Sequence, residues 1–412
     1  SVENGFLYVF GKSFYQVVGT DWFNFYSNRY NADTKKRRFP NKGALSLTAP
    51  KGAIIKNVKI SPDSKYIAYT QVFKGVRKLI KFDLESNQKK TLMSWGERDF
   101  SGEEEPDYPL VEWSENGSSL VIIYEKNNKI RLRYQALGTA TKTKEKIIKG
   151  IDRVLDFDLS GTTLYLVATR EGHADIYRYN GTLKAITDDF WDEKELSLAH
   201  LGGKVGLLFT SNRTTLSMKP TEFDGKIAPT TVDLFFYDLK AKDQENALTR
   251  LTNTPHANEK SIQSISPSKF SYLSDQNGIY NRYVAILDTV LIQRNKVLML
   301  QDGSTLKARP DSNYFHLPVD SFFYELLYTA TGKPYANTDY SRNILENDIS
   351  NNKVLDLIFR KGKYCLFVRS LYADRRMPPL RKTKYRNYLD GQTRAYDVAF
   401  STVKVEKTAP EA

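Results

Sequence analysis

The sequence predicts an all-β chain, a β-propeller of about six four-stranded blades with a short helical N-terminal segment and an irregular, basic C-terminal extension. Three observations carry this expectation. A unit of turn, alternating apolar strand, polar turn and third strand ending near Asp recurs along the chain. Counted from Pro62 through Asn116, Gly161 and Gly203 to Ser268, the turns lie about 54, 45, 42 and 65 residues apart, the spacing of propeller blades. The composition is that of a folded globular chain: 412 residues, 40 % hydrophobic and 26 % charged. No apolar run approaches the roughly 18–20 residues of a membrane helix.

The elements follow in order. In residues 6–30, Phe14, Val17 and Val18, then Trp22, Phe25 and Tyr26, recur at helical spacing, and Gly19-Thr20-Asp21 reads as a break with an N-cap. Lys35-Lys36-Arg37-Arg38 follows as a solvated linker, which sets residues 1–44 apart as a helical lead-in. Residues 58–83 open the repeats. Ser61-Pro62-Asp63-Ser64 is a tight turn, with Pro fixing φ and Asp bonding the backbone two residues on, and Tyr66 to Thr70 then alternate as a strand. Further copies stand at 111–124, 153–178, 196–213 with 232–239, and 265–288. The step of 65 is one blade plus the polar insertion 214–231. A β-sandwich would not repeat one turn at this interval. Residues 289–352 lose clear periodicity and read as an irregular insertion. Residues 354–372 give two alternating strands around Arg360–Lys363, a further blade or strands that close the ring, so the propeller spans 45–372. Closure matters because an open ring leaves two unpaired edges.

SPDSKYIAYT with a third strand ending FDL resembles the repeat of TolB-type propellers. LTRLTNTPHANEKSIQSISPSKFSYLSDQNGIYNRYVAILD at 248–288 is similar to the same unit almost position for position, although Lys269 and Gly202-Gly203-Lys204 depart from it. The resemblance covers about 45–290 and is specific for fold rather than activity. The lead-in is similar to the helical end of a peptidase-like domain preceding such propellers in large Bacteroidota envelope proteins; a short helical pair packed on the propeller's side explains it equally. The resemblance implies a protein-interaction scaffold in a bacterial cell envelope, periplasmic or outer-membrane-associated, that binds partners at the channel mouth. Segments entering the inner strands would supply that face: Asp107, Tyr108, His256, Asn258 and Glu259, with Asp152 and Arg153 less firmly placed.

Charge and chemistry complete the reading. Of the net +13, the stretch from Arg360 to Arg394 holds +9, eleven cations against Asp374 and Asp390, interleaved with tyrosines. Arg375, Arg376, Arg381, Lys382, Lys384 and Arg386 within the extension 373–412 are therefore candidates for docking on an envelope protein or on anionic lipid head groups; nucleic acid is not an expected partner. No catalytic residue, metal site or cofactor is expected. GxSxG, Walker A and GxGxxG motifs are missing, the four His are scattered, and Cys365 stands alone. The acidic runs Glu103–Glu105 with Asp107, and Asp188-Asp189 with Asp192-Glu193, read as solvated connections. The alternative is a hydrolase: a peptidase whose catalytic domain lies outside this chain, or a glycosidase with carboxylates at the axis.

Overall fold

A computed structural model describes residues 2–391 apart from 36, 41–43, 46, 48, 97–106, 139–142, 217–228, 242–246, 255, 303–304, 309–313, 315–316 and 372–375; over 287–295, 305, 307 and 323–333 it describes backbone alone. After β1 (Ala44–Leu45), the first blade is β2 (Ile54–Ile60), β3 (Tyr66–Phe73), β4 (Val76–Asp83) and β5 (Lys89–Trp95). The second is β6 (Leu110–Trp113), β7 (Ser119–Glu125), β8 (Ile130–Ala136) and β9 (Lys144–Ile147). The third is β10 (Arg153–Ser160), β11 (Thr163–Arg170), β12 (His173–Tyr179) and β13 (Leu183–Ala185). β14 (Glu193–Leu201), β15 (Lys204–Ser211), β16 (Asp233–Asp238) and β17 (Leu248–Arg250) make the fourth. The fifth holds β18 (Glu259–Ser266), β19 (Lys269–Ser274), β20 (Asn281–Leu300), β21 (Thr305–Lys307) and β22 (Val319–Ala336), and the sixth β23 (Ile344–Ser350), β24 (Lys353–Arg360) and β25 (Lys363–Ser370). All pairings within the sheets are antiparallel and the order is sequential, except that β22 pairs β20 in blade five and β1 pairs β25 as the outermost strand of blade six. The chain thus forms a six-bladed propeller that its own N-terminal strand closes.

Turn chemistry sets the blades. Ser61 Oγ accepts from the Lys65 and Tyr66 amides at 3.2 and 2.9 Å and donates to Asp63 at 2.6 Å, and Ser114 repeats the device with the Ser119 amide and Asn116. Each seam between neighbouring sheets holds its own apolar cluster, six in all. At the seam of blades two and three, Leu110, Val121 and Ile123 meet Phe157, Leu164 and Leu166. Truncating a fully buried Leu such as Leu166 to Ala would cost roughly 2–5 kcal/mol.

Three regions depart from the sequence reading. Residues 281–336 form a long hairpin: β20 and β22 pair from Tyr283 with Ala336 outward, so the base completes blade five and the rest extends beyond it. The inner strand of blade six, β23, also lies inside the stretch read as irregular. Its Leu345-Glu346-Asn347-Asp348 carries acids where alternation calls for apolar residues. The lead-in breaks at Gly11–Ser13 instead of Gly19. Helix α1 (Val2–Phe10) ends there, Ser13 caps α2 (Phe14–Gln16), and a π-helical turn (Val17–Trp22) runs on into α3 (Phe23–Thr34). None of these helical residues is buried, so the helices do not pack into the propeller's side.

The basic linker is not simply solvated. Arg37 is nearly enclosed, faces Asp339 at 3.5 Å and donates to the Arg381 carbonyl at 2.8 Å, and Arg38 forms an isolated bridge with Tyr340. Among the described residues no helix is long and apolar enough to cross a membrane, which says nothing about crossing by strands.

Candidate functional site

The inner strands β2, β6, β10, β14, β18 and β23 surround an axial cavity of about 370 Å³. Five of the six carry a register shift beside the axis: Lys56/Lys59, Val154/Asp156, Glu193/Leu196, Lys260/Gln263 and Ile344/Glu346. A bulge re-aims the following side chain and leaves backbone N–H groups outside the ladder. Asn57 and Ser261, with φ of 53° and 50°, sit in two of these shifts.

Amides on the open axial edge of these innermost strands are taken by carboxylates of the preceding blade. Glu346 accepts from the Val58 amide at 3.0 Å and Asp348 from Ile60 at 2.7 Å. Asp156 accepts from Leu196 at 3.0 Å and Asp158 from Leu198 at 2.7 Å, while Glu195 accepts from Ser261. Three seams of the ring are therefore stitched at the axis by carboxylate–amide bonds.

One ammonium sits among these acids. Lys59 pairs with Glu112, and although burial alone would lower its pKa, Glu112, Asp348, Asp156 and Asp158 together raise it well above the ordinary value. Four carboxylates outnumber one cation, so part of the set is pushed toward the protonated form. Burial raises Asp156 to about 7, with Lys59 opposing, and raises Asp158 and Asp348 in the same direction. Above this tier, at the end where inner strands begin, Asp107 bridges Lys56 at 2.6 Å and Arg153 at 2.7 Å. Their side chains remain 49 %, 37 % and 31 % exposed respectively, so this tier is an accessible charged mouth.

The expected partner face is only partly assembled there. Asp107 and Arg153 line the mouth. Tyr108 is buried, with its hydroxyl on the Val154 carbonyl and amide at 3.0 and 2.8 Å, so it locks blade two to blade three. Glu259 is also buried and accepts from the Thr252 and Thr254 hydroxyls; burial pushes it up to about 8. The Asn258 amide donates to Asp275 at 2.7 Å, and the His256 carbonyl accepts from Arg386. Tyr108 and Glu259 therefore present no surface to a partner.

The basic extension is likewise divided. Arg375 lies outside the described residues. Arg386 is buried between the His256 carbonyl and Asp390, so it is an internal tie and no docking residue. Lys382 pairs with Asp390 at 2.6 Å, Arg376 lies over Tyr335, and Arg376, Arg381 and Lys384 are exposed. The acids Asp189 and Glu193 are enclosed and not solvated: Arg213, itself buried, donates to both at 2.9 and 2.8 Å, and Thr187 donates to Glu193 at 2.8 Å. The guanidinium occupies the place a bound cation would need. Glu103–Glu105 lie outside the described residues.

Sequence reasoning missed Asp156, Asp158, Glu346 and Asp348. The available signal was an acid-x-acid pattern on two strands, VLDFDL at 154–159 and LENDI at 345–349. Glu193 and Glu259 had one too, since each follows a threonine partner by six or seven residues.

No family model matches the chain, and no curated protein matches it. Among solved structures it is similar to TolB from Acinetobacter baumannii, with 16 % identity and a TM-score of 0.37 over 77 % of this chain and 64 % of that one. A putative TolB from Agrobacterium tumefaciens shares 12 % identity at a TM-score of 0.42, covering 78 % and 91 %. A puromycin-hydrolyzing peptidase of Mycobacterium tuberculosis shares 12 % at 0.41, covering 84 % and 57 %. The chain spans less than two thirds of the first and third of these. The propeller assignment rests on the strand topology, and these likenesses leave activity open.

Proposed function

We propose that this chain is a non-catalytic, TolB-like propeller acting as a protein-interaction scaffold in a bacterial cell envelope, associated with the outer membrane, with the axial mouth as its partner site. One observation carries this reading. The mouth offers three part-exposed charges, Lys56, Asp107 and Arg153, whereas the carboxylates beneath them are committed to backbone amides. A partner's ion pairs can replace those of the mouth at little cost, because exposed pairs contribute only about 0–1 kcal/mol each. The test is affinity capture from envelope extracts with the wild-type chain and a Lys56→Ala/Asp107→Ala/Arg153→Ala variant. A partner held by the first and released by the folded variant supports the scaffold. Capture of no specific partner, or equal capture by both, sinks it.

A second reading is favoured by the axial acids. Asp156 is pushed up to about 7 while Glu112 pairs with Lys59, and two carboxyl groups in unlike environments suit a glycosidase acid and its counterpart. Hydrolysis of an acidic or neutral oligosaccharide, abolished by Asp156→Asn, would establish that reading in place of the scaffold.

A further inference from the structure

The segment 376–391 returns across blade five as a strap. The Met377 amide donates to the Ala336 carbonyl at 2.8 Å, and the Thr383 amide to the Asn277 carbonyl at 2.9 Å. Met377 and Leu380 pack on the apolar cluster between blades four and five. Gly278 permits this approach, since a Cβ there would lie 2.2 Å from Thr383 Oγ1.

The strap does not seal against the propeller. It roofs a second cavity of about 600 Å³, bounded by the base of the β20–β22 hairpin, the β19–β20 turn and the strap itself. This is the size of a small-molecule cleft, about 300–1,000 Å³. Tyr283, Tyr335, Pro334, Pro378 and Pro379 give it flat apolar walls. The charged side chains lining it are Arg376 and Lys382, both cations. Lys382 is already matched by Asp390, whereas Arg376 meets the ring of Tyr335 and no carboxylate among the described residues. Deep in the wall stands Asn277, 2 % exposed. Its Oδ1 accepts from the Ile279 amide at 3.2 Å, but its Nδ2 has no partner. A buried amide donor left unpaired costs roughly 1–3 kcal/mol, so it marks a position where an acceptor is missing.

We propose that this cavity binds a small organic carboxylate with a flat apolar body, its carboxylate on Arg376 and its polar edge on Asn277 Nδ2, its body against Tyr335 and the prolines. A single negative charge matches the one lining cation left uncompensated among the described residues; a phosphate monoester, with nearly two charges, would exceed it. Guanidinium geometry suits the planar carboxylate. This goes beyond the scaffold reading and does not depend on it, since the cavity is separate from the axis.

The test uses the full chain and N-acetyl-L-phenylalanine, followed by saturation-transfer NMR and titration calorimetry, with N-acetyl-L-phenylalaninamide and phenyl phosphate as comparison arms. The carboxylate should bind saturably. Its amide counterpart, and the carboxylate on Arg376→Gln, should bind about tenfold more weakly or worse, the worth of one charge-assisted pair. Phenyl phosphate should bind no more tightly than the carboxylate. Asn277→Ala should weaken binding without abolishing it, and because Arg376 is exposed, Arg376→Gln should unfold at the wild-type temperature. Absence of saturation, equal binding of the amide, unchanged binding by folded Arg376→Gln, or tighter binding of phenyl phosphate would each overturn the proposal.

Discussion

Asp156→Asn isolates what one axial carboxylate does to the ring. In the folded chain Asp156 titrates near 7, chiefly because burial disfavours its charge, against 3.8 in an open chain. Between those values the folded state holds a proton that the unfolded state has released. Stability from this group is therefore complete below about pH 4 and is lost as pH rises through about 7. In fully dry surroundings the loss would reach about 4 kcal/mol at pH 8. Asp156 borders the axial cavity, where water screens it, and about 2 kcal/mol is the expected size. Asn keeps an acceptor for the Leu196 amide and carries no charge, but it gives up the bond from the Phe157 amide at 2.9 Å, worth about 1 kcal/mol. Urea unfolding at pH 5 and pH 8 should show the variant slightly less stable than wild type at pH 5 and about 1–2 kcal/mol more stable at pH 8. Parallel pH curves for the two proteins would refute the reasoning, because they would mean that Asp156 is ionised in both states across this range.

Three further outcomes follow from packing. Arg213→Met leaves Glu193 and Asp189 enclosed without a counter-charge and should lower stability by about 3–5 kcal/mol in denaturant titration, whereas a solvated acidic run would change little. Removing residues 1–47 takes β1 from blade six and exposes the edge of β25; size-exclusion chromatography and circular dichroism should show self-association and broadened unfolding. Ending the chain at residue 375 strips Met377 and Leu380 from their cluster and cuts the Arg386 bond to His256. A loss of about 2–4 kcal/mol is expected by thermal unfolding, against the near-zero change of a solvated tail.

The propeller was legible because its determinants are local. Ser61–Ser64 and Glu115–Gly117 announce their turns, and Tyr66–Phe73 and Ser119–Glu125 are short apolar runs bounded by turns, as strands buried on both faces are. Blade six was readable at β24 and β25 for the same reason, but ring closure by the N-terminal β1 on β25 was not, since two residues beside the lead-in carry no strand signal of their own. The axial site was not legible, because its acids are defined by what they touch across a seam. Asp348 finds the Ile60 amide 288 positions away in sequence, and nothing near either residue predicts the meeting. Asp188–Glu193 misled for the converse reason: a charge run usually faces water, and the buried guanidinium that overrides this comes from Arg213, two residues past the end of β15. The same holds for the basic extension, where Arg386 looks like its neighbours in sequence and is distinguished only by the carbonyl it reaches. Tyr108 was placed at the correct end of the ring, yet its hydroxyl turned inward, a choice that a single residue type does not encode.

The Arg37–Arg381 contact has a mechanical consequence. Arg37 lies just beyond the helical lead-in and Arg381 on the strap that leads toward the other terminus, and the donor of one sits on the carbonyl of the other at 2.8 Å. Tension on the C-terminal side would reach the Arg386–His256 and Thr383–Asn277 bonds of the strap on blade five before Arg381, whereas tension on the N-terminal side would meet Arg37 and the Arg38–Tyr340 bridge before any strand of the ring. Once the Arg37 and Arg38 contacts yielded, force on the N-terminal side would reach β1, a two-residue strand, and unzip the ring from its closure outward.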